Sequence, residues 1–146
     1  LRSQGSGETA LMRRLAGSRV PFDPATHGPD DFFLTMDGKR VYLFAVDAIV
    51  RTVTALCEQG GMSPEELDWV VPHQANVRII EAAAKRLGLP LERFFTNMDR
   101  YANTSAASIP IAMEEMVETG RLEPGRSVLT VGFGAGLTYG GNLIRW

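Results

Sequence analysis

The stretch Val70-Val-Pro-His-Gln-Ala-Asn76 constrains this chain most, because it sets a histidine and an amide where an apolar, strand-like run ends and a helix begins. The run reads as a strand from Trp69 to Val71. The helix that follows extends from about Asn76 to Leu87, with Val77, Ile80, Ala84 and Leu87 as its inner stripe, and Gly88 and Pro90 stop it. A second junction, Arg100-Tyr-Ala-Asn-Thr-Ser-Ala-Ala-Ser108, carries Asn103. A third, Gly132-Phe-Gly-Ala-Gly136, is glycine-rich between two β-like runs. Ligands of open α/β sheets collect at the carboxyl ends of strands, so three such ends describe one candidate site.

The rest of the pattern supplies the layers around these junctions. Phe32 to Met36 is β-like, and Asp37-Gly38 opens a long amphipathic helix with Val41, Phe44, Ala45, Ala48, Ile49, Val53 and Leu56 at three- and four-residue spacing. Gly60-Gly61 ends it, and Ser63-Pro64 starts a short helical turn before Trp69. Phe95 to Met98 reads as a further strand. Ser108 is expected to cap a helix to about Thr119, with Pro110 in its first turn, where a missing N–H is harmless. Ser127 to Phe133 and Leu137 to Arg145 read as adjacent antiparallel strands. Residues 1–30 read as a connecting segment and the truncated start of this unit, with one short helix around Glu8 to Leu15, and residues 31–146 as the domain. The expected fold is a layered α/β unit: a mixed sheet, mostly of parallel strands, with helices on its faces and a closing hairpin.

Composition bounds the chemistry. With 146 residues, 45% hydrophobic and 22% charged, the chain has the balance of one globular domain. A net charge of −2 gives no global reason to expect nucleic acid or an anionic membrane, so an anionic ligand must be held locally. Cys57 is the single cysteine, which excludes an internal disulfide and a cysteine metal cluster and favours a reducing compartment. No apolar run approaches the roughly 20 residues that span a bilayer, and no signal peptide is evident, so a cytoplasmic location is expected. The first residue is Leu1, consistent with a fragment or processed product.

His73 precedes a helix N-terminus, where the dipole favours neutral imidazole, and a neutral ring can donate one hydrogen bond to a thioester carbonyl as charge develops on it. A histidine there equally caps the helix or satisfies a buried carbonyl. Asn103 offers a second donor that does not titrate, yet the same residue serves turns and caps. Asn103-Thr-Ser105 also matches a glycosylation acceptor, discounted for a cytoplasmic chain. The turn at Gly132 to Gly136 lets backbone approach a ligand closely, or is simply a tight hairpin; it lacks the spacing of a dinucleotide fingerprint. Arg78, Lys85 and Arg86 place cations along one helix, for phosphates, for an acidic partner or for solvent. Cys57, beside an apolar stripe, reads as structural, and His27 has no evident partner.

Taken together and in this order, Val71-Pro-His-Gln-Ala-Asn76, Asn103-Thr-Ser-Ala-Ala-Ser108 and Gly132-Phe-Gly-Ala-Gly136 closely resemble the C-terminal half of the β-ketoacyl-acyl carrier protein synthase III family, the initiating condensing enzymes of bacterial fatty-acid synthesis. The resemblance covers essentially the entire chain. It implies a thiolase-like fold of two similar halves, a Cys-His-Asn triad, and an acyltransferase that condenses acyl-coenzyme A with malonyl-acyl carrier protein.

On this resemblance His73 and Asn103 match the pair that stabilises the thioester enolate, and Ala135 falls in the segment supplying an oxyanion N–H. Asn76 and Arg78 match the coenzyme A and phosphopantetheine tunnel, with Met36, Gly38 and Tyr42 along the pantetheine channel. Arg78, Lys85 and Arg86 match the helix that docks the carrier protein. No cofactor is implied, coenzyme A and phosphopantetheine being carriers of substrate. The nucleophilic cysteine belongs to the N-terminal half, and Cys57 does not match it. The implied partners are therefore that half, acyl carrier protein, acyl-coenzyme A and a second complete protomer, and the chain alone is expected not to condense. Two alternatives stand beside this: a non-catalytic module that binds acyl-coenzyme A or carrier protein or supports dimerisation, and a starter-unit ketosynthase or acyltransferase of a polyketide pathway.

Overall fold

The structure, a computed structural model, describes residues 1–146. Its centre is strand β5 (Ser127–Gly134), whose apolar residues alternate between two faces. On one side β5 runs parallel to β4 (Trp69–Pro72), pairing Trp69 with Val128 and Pro72 with Val131. On the other it runs antiparallel to β6 (Thr138–Arg145), from Ser127 opposite Arg145 to Gly134 opposite Thr138. A two-residue strand β1 (Arg2–Ser3) completes the order β1-β6-β5-β4. A separate ribbon joins β2 (Leu11–Arg13) to β3 (Leu34–Met36).

Helices α1 (Gly38–Gln59) and α2 (Val77–Leu87) cover the face that presents Val70, Leu129 and Val131; Ile49, Val53, Ile80 and Ala84 meet these strand residues there. Helix α4 (Ser108–Glu118) covers the opposite face, with Ala112 and Met116 against Val71 and Val128. All of these core residues are buried. Withdrawing each of the larger ones from water stabilises by about 1.5–3 kcal/mol, which is why the strands of a two-sided sheet read as continuous apolar runs. The expected α/β architecture with helices on its faces is therefore present.

The parallel share is smaller than expected. One parallel pair, β4 with β5, stands against two antiparallel ones, because β6 returns directly from β5 and β1 adds to its far edge. The run Phe95 to Met98 does not become a strand. Phe94 makes one parallel bridge to Val70, and the Phe95 N–H donates to the Val70 carbonyl at 3.0 Å. The Asn97 N–H is then taken by the Gln74 side chain, which ends the ladder, and the chain turns into the short helix α3 (Met98–Tyr101).

Residues 1–30 do more than connect. They supply β1 and bury Ala10 and Leu15, and in place of the expected helix at Glu8 to Leu15 a 3-10 turn (Gly5–Ala10) leads into β2. Phe32 belongs to another 3-10 turn (Pro29–Phe32), so β3 starts only at Leu34.

Helix ends follow local chemistry. The Asp37 carboxylate accepts from the Arg40 N–H at 3.0 Å to start α1, and the Asn76 amide oxygen accepts from the Arg78 N–H at 3.0 Å to start α2. Gly88, at φ 72°, closes α2 in the left-handed conformation that favours glycine. The inward stripe of α2 is Ile79, Ile80, Ala83 and Ala84, with Val77 exposed, because α2 packs against α1 as well as against the sheet. No helix is long and apolar enough to cross a membrane.

Candidate active site

Because β4 and β5 are parallel, their carboxyl ends lie at the same edge of the sheet. His73 leaves β4 there, and its N–H donates to the Val131 carbonyl at 2.7 Å. Its ring is half-buried, meeting Phe133 of β5 edge-on with centroids 5.2 Å apart. Burial holds the imidazole below its ordinary value of 6.5, so the ring is neutral at neutral pH. Ala135 follows β5 at the same edge, in the exposed turn to β6; its carbonyl accepts from the Thr138 hydroxyl at 3.0 Å, while its N–H has no acceptor within the chain.

Asn103 arrives by another route. It lies in the loop between Asn97 and Ser108, and both ends of that loop are bonded to the His73-Gln74 pair. Its amide oxygen accepts from the Ser105 N–H at 3.0 Å, which leaves the amide N–H groups as the free part of the side chain. Ala102 and Ser105 flank it at φ 55° and 53°, conformations that L-residues adopt at a cost and that hold the turn in one shape.

Several residues that organise this junction escape a reading by sequence pattern. Gln74 is fully buried: its amide nitrogen donates to the carbonyls of Pro72 at 2.7 Å and Phe95 at 3.2 Å, and its oxygen accepts from the Asn97 N–H. The Asn97 amide donates to Glu115 of α4 at 3.0 Å, and Arg100 pairs with the same carboxylate. Burial alone pushes the Glu115 carboxyl up, but the Asn97 hydrogen bond and the Arg100 guanidinium outweigh it and hold the group below the usual carboxylate value. Ser108, expected to cap α4, is instead the first residue of that helix. The turn Ser105–Ala107 runs straight into α4, and the Ser108 hydroxyl points inward to His73 and Gln74. The one available signal for Gln74 was an amide beside an apolar run, which must find internal partners once buried.

Of the remaining expected residues, Met36, Gly38, Tyr42, Asn76 and Arg78 lie at or near the starts of α1 and α2, whereas Lys85 and Arg86 lie in the last turn of α2. Met36 and Gly38 are exposed at the end of β3 and the start of α1, and the Tyr42 hydroxyl reaches the Arg78 carbonyl at 3.5 Å. Asn76 spends its amide oxygen as the α2 cap. Arg78 and Lys85 are exposed and form no ion pair within the chain, whereas Arg86 pairs with Asp47 of α1 at 3.1 Å, a carboxylate that Arg51 also engages. Cys57 is buried, and burial, followed by the nearby Glu65 and Glu66 carboxylates, pushes its thiol up, away from a reactive thiolate.

Residues 57–146 match the model of the family described as 3-oxoacyl-(acyl-carrier-protein) synthase III, C terminal. The chain belongs to this family. The β-ketoacyl-(acyl-carrier-protein) synthase III of Clostridium acetobutylicum is 47% identical over 146 residues, covering 100% of this chain and 45% of the relative. The crystal structure of the Thermus thermophilus synthase III superposes with a TM-score of 0.86 at 42% identity, covering 99% of this chain and 44% of that one. A priming β-ketosynthase from the R1128 polyketide pathway superposes with a TM-score of 0.79 at 34% identity, covering 98% and 43%. The chain therefore spans less than half the length of these relatives. Its fold is the thiolase-like fold of the synthase III structures.

Proposed function

We propose that this chain is the donor half of a β-ketoacyl-acyl carrier protein synthase III, an acyltransferase that starts fatty-acid synthesis. The observation that carries the proposal is His73 at the sheet edge it shares with Ala135, with the Asn103 loop tied to His73 at its Ser108 end and to Gln74 at its Asn97 end. When a malonyl thioester loses carbon dioxide, the electron pair of the breaking bond moves into an enolate and negative charge develops on the thioester oxygen. Two uncharged donors, the His73 ring N–H and the Asn103 amide, stabilise that oxygen without giving up a proton. The Ala135 N–H serves as donor to the oxyanion formed when acyl groups are transferred. Acyl transfer also needs a thiolate nucleophile. Buried Cys57 does not provide one, so we assign it to an N-terminal half, and this chain alone is inactive in condensation.

The substrates on this reading are acyl-coenzyme A and malonyl-acyl carrier protein, with their phosphopantetheine arms entering past Met36, Gly38, Asn76 and Arg78. The carrier protein docks on Arg78 and Lys85, while Arg86 serves first as an ion-pair partner of Asp47. Complete protomers pair as a cytoplasmic homodimer. The likeness to a polyketide priming ketosynthase favours a second reading, in which the same donors act on a polyketide carrier protein. Assays with malonyl groups on each kind of carrier protein separate the two.

The test is reconstitution with the nucleophile-bearing half. His73→Ala is expected to abolish malonyl decarboxylation while leaving acylation of the partner's cysteine largely intact. Equal loss of both steps would mean that His73 is structural and would return the chain to a binding or dimerisation role.

A further inference from the structure

We infer that Ser108 is a positioning residue whose hydroxyl donates to Nδ1 of His73 and so orients the ring with its proton on Nε2. The inference rests on the proposed role of His73 as an N–H donor. Ser108 is 2% exposed, and its oxygen lies 2.7 Å from His73 Nδ1 and 3.2 Å from the Gln74 backbone nitrogen. A backbone N–H can only donate, so the Gln74 contact occupies a lone pair of the hydroxyl oxygen. The hydroxyl proton then has one acceptor within reach, the Nδ1 lone pair of a neutral imidazole. The opposite tautomer would make the oxygen accept from two N–H groups and leave its own buried proton unpaired, which forfeits the hydration that proton had in the unfolded chain.

A second observation points the same way. Helix α4 starts without a side-chain cap, since Ala107 occupies the cap position and Ser108, a residue type suited to capping, turns its hydroxyl toward His73 instead. The N-terminal end of α4 adds a positive dipole end beside the ring, which disfavours the imidazolium and supports the neutral donor form. With Nδ1 engaged and the His73 backbone N–H held by Val131, the ring has a fixed attachment on its inner side, and Nε2–H is left to donate to a thioester oxygen. This division of labour is the one seen wherever a second group orients a working histidine: the group touches no substrate and acts through the ring.

The experiment reads the ring nitrogens directly. The chain holds two histidines, so 15N-histidine labelling of the 146-residue chain, free and mixed with the nucleophile-bearing half, resolves His73 in long-range proton–nitrogen spectra once His73→Gln has assigned it. In the wild-type chain Nδ1 is expected to resonate as an unprotonated nitrogen that accepts a hydrogen bond, and Nε2 as a protonated one. Ser108→Ala should remove the hydrogen-bond shift of Nδ1, and Ser108→Thr should restore it. In the reconstituted enzyme Ser108→Ala should lower kcat for malonyl decarboxylation roughly tenfold or more, with KM little changed and with recovery in Ser108→Thr. A wild-type proton on Nδ1, which needs no variant to detect, overturns the inference, and so does an Nδ1 signal unmoved by Ser108→Ala. A Ser108-dependent Nδ1 signal in an enzyme that does not decarboxylate malonyl thioesters would uphold the positioning of the ring and overturn the enolate role of His73.

Discussion

Moving the His73 ring out of water disfavours its charged form, and the fold therefore lowers its pKa from the ordinary 6.5. The sign of the linked stability effect follows. Above about pH 6.5 the ring is neutral in both folded and unfolded chains and costs nothing. As pH falls from 6.5 toward the lower folded value, the unfolded chain binds a proton that the folded chain refuses, and stability drops. Urea unfolding between pH 7.5 and 5.5 should thus show a steeper acid loss for the wild-type chain than for His73→Gln, which has no group to titrate there. Parallel pH profiles for the two proteins would show that the ring stays solvated. The same desolvation acts in the opposite direction on Cys57: it raises the thiol's pKa and leaves this chain's single cysteine a core residue.

At the scale of elements, the junction after β4 is held by polar groups rather than by a ladder. Gln74 links β4 to the segment after Phe95, and Glu115 links that segment, through Asn97 and Arg100, to α4. Glu115→Ala would leave the buried Asn97 amide without its acceptor and is expected to destabilise the fold by about 2 kcal/mol in chemical denaturation. Its effect on the site should exceed its effect on the core, with decarboxylation in the reconstituted enzyme falling even under conditions where the protein remains folded. On the other side of the sheet, Gly141 of β6 is wedged between β5 and α1: an added Cβ would overlap the Thr130 carbonyl oxygen of β5 and lie 2.7 Å from the Thr52 methyl of α1. Gly141→Ala must move backbone, and a loss of about 1–3 kcal/mol is expected from its melting curve. A variant as stable as the wild type would mean that β6 shifts easily against both β5 and α1.

For the molecule as a whole, the exposed apolar side chains Met36, Leu43 and Val77 lie on or beside the starts of α1 and α2, near the unpaired cation Arg78, while Lys85 lies in the last turn of α2. On the proposed function, this apolar surface beside the Arg78 cation would receive the phosphorylated pantetheine arm of the carrier protein. Arg78→Glu should accordingly raise the KM for malonyl-acyl carrier protein several-fold in the reconstituted enzyme, with a smaller change in kcat, and more at low salt than at high salt. An unchanged KM would remove Arg78 from docking.

Apolar periodicity was enough to read α1 and α2 from the sequence, because a helix that buries one face must repeat its apolar residues at the helical period, while α4 was read from Ser108 and Pro110 at its start and the β5–β6 hairpin from two β-like runs around a glycine turn. The junctions at His73 and Ala135 were legible for a related reason, since a strand end is marked by residue types at short, local spacing, whereas Asn103 lies in a loop between α3 and α4 and not at a strand end. What depends on neighbours distant in the chain was not legible. The inner face of α2 moved to Ile79 and Ala83 because α1 lies against it. The run after Phe95 failed to become a strand because Gln74 captured the Asn97 N–H. Ser108 gave up capping because His73 lay within hydrogen-bond reach. Local propensity carries no term for such partners, so the sequence alone determined most of the elements and the residue types at their junctions. Only the tertiary structure decided which hydrogen bonds those residues spend on the fold and which of their polar groups are left without a partner in the chain.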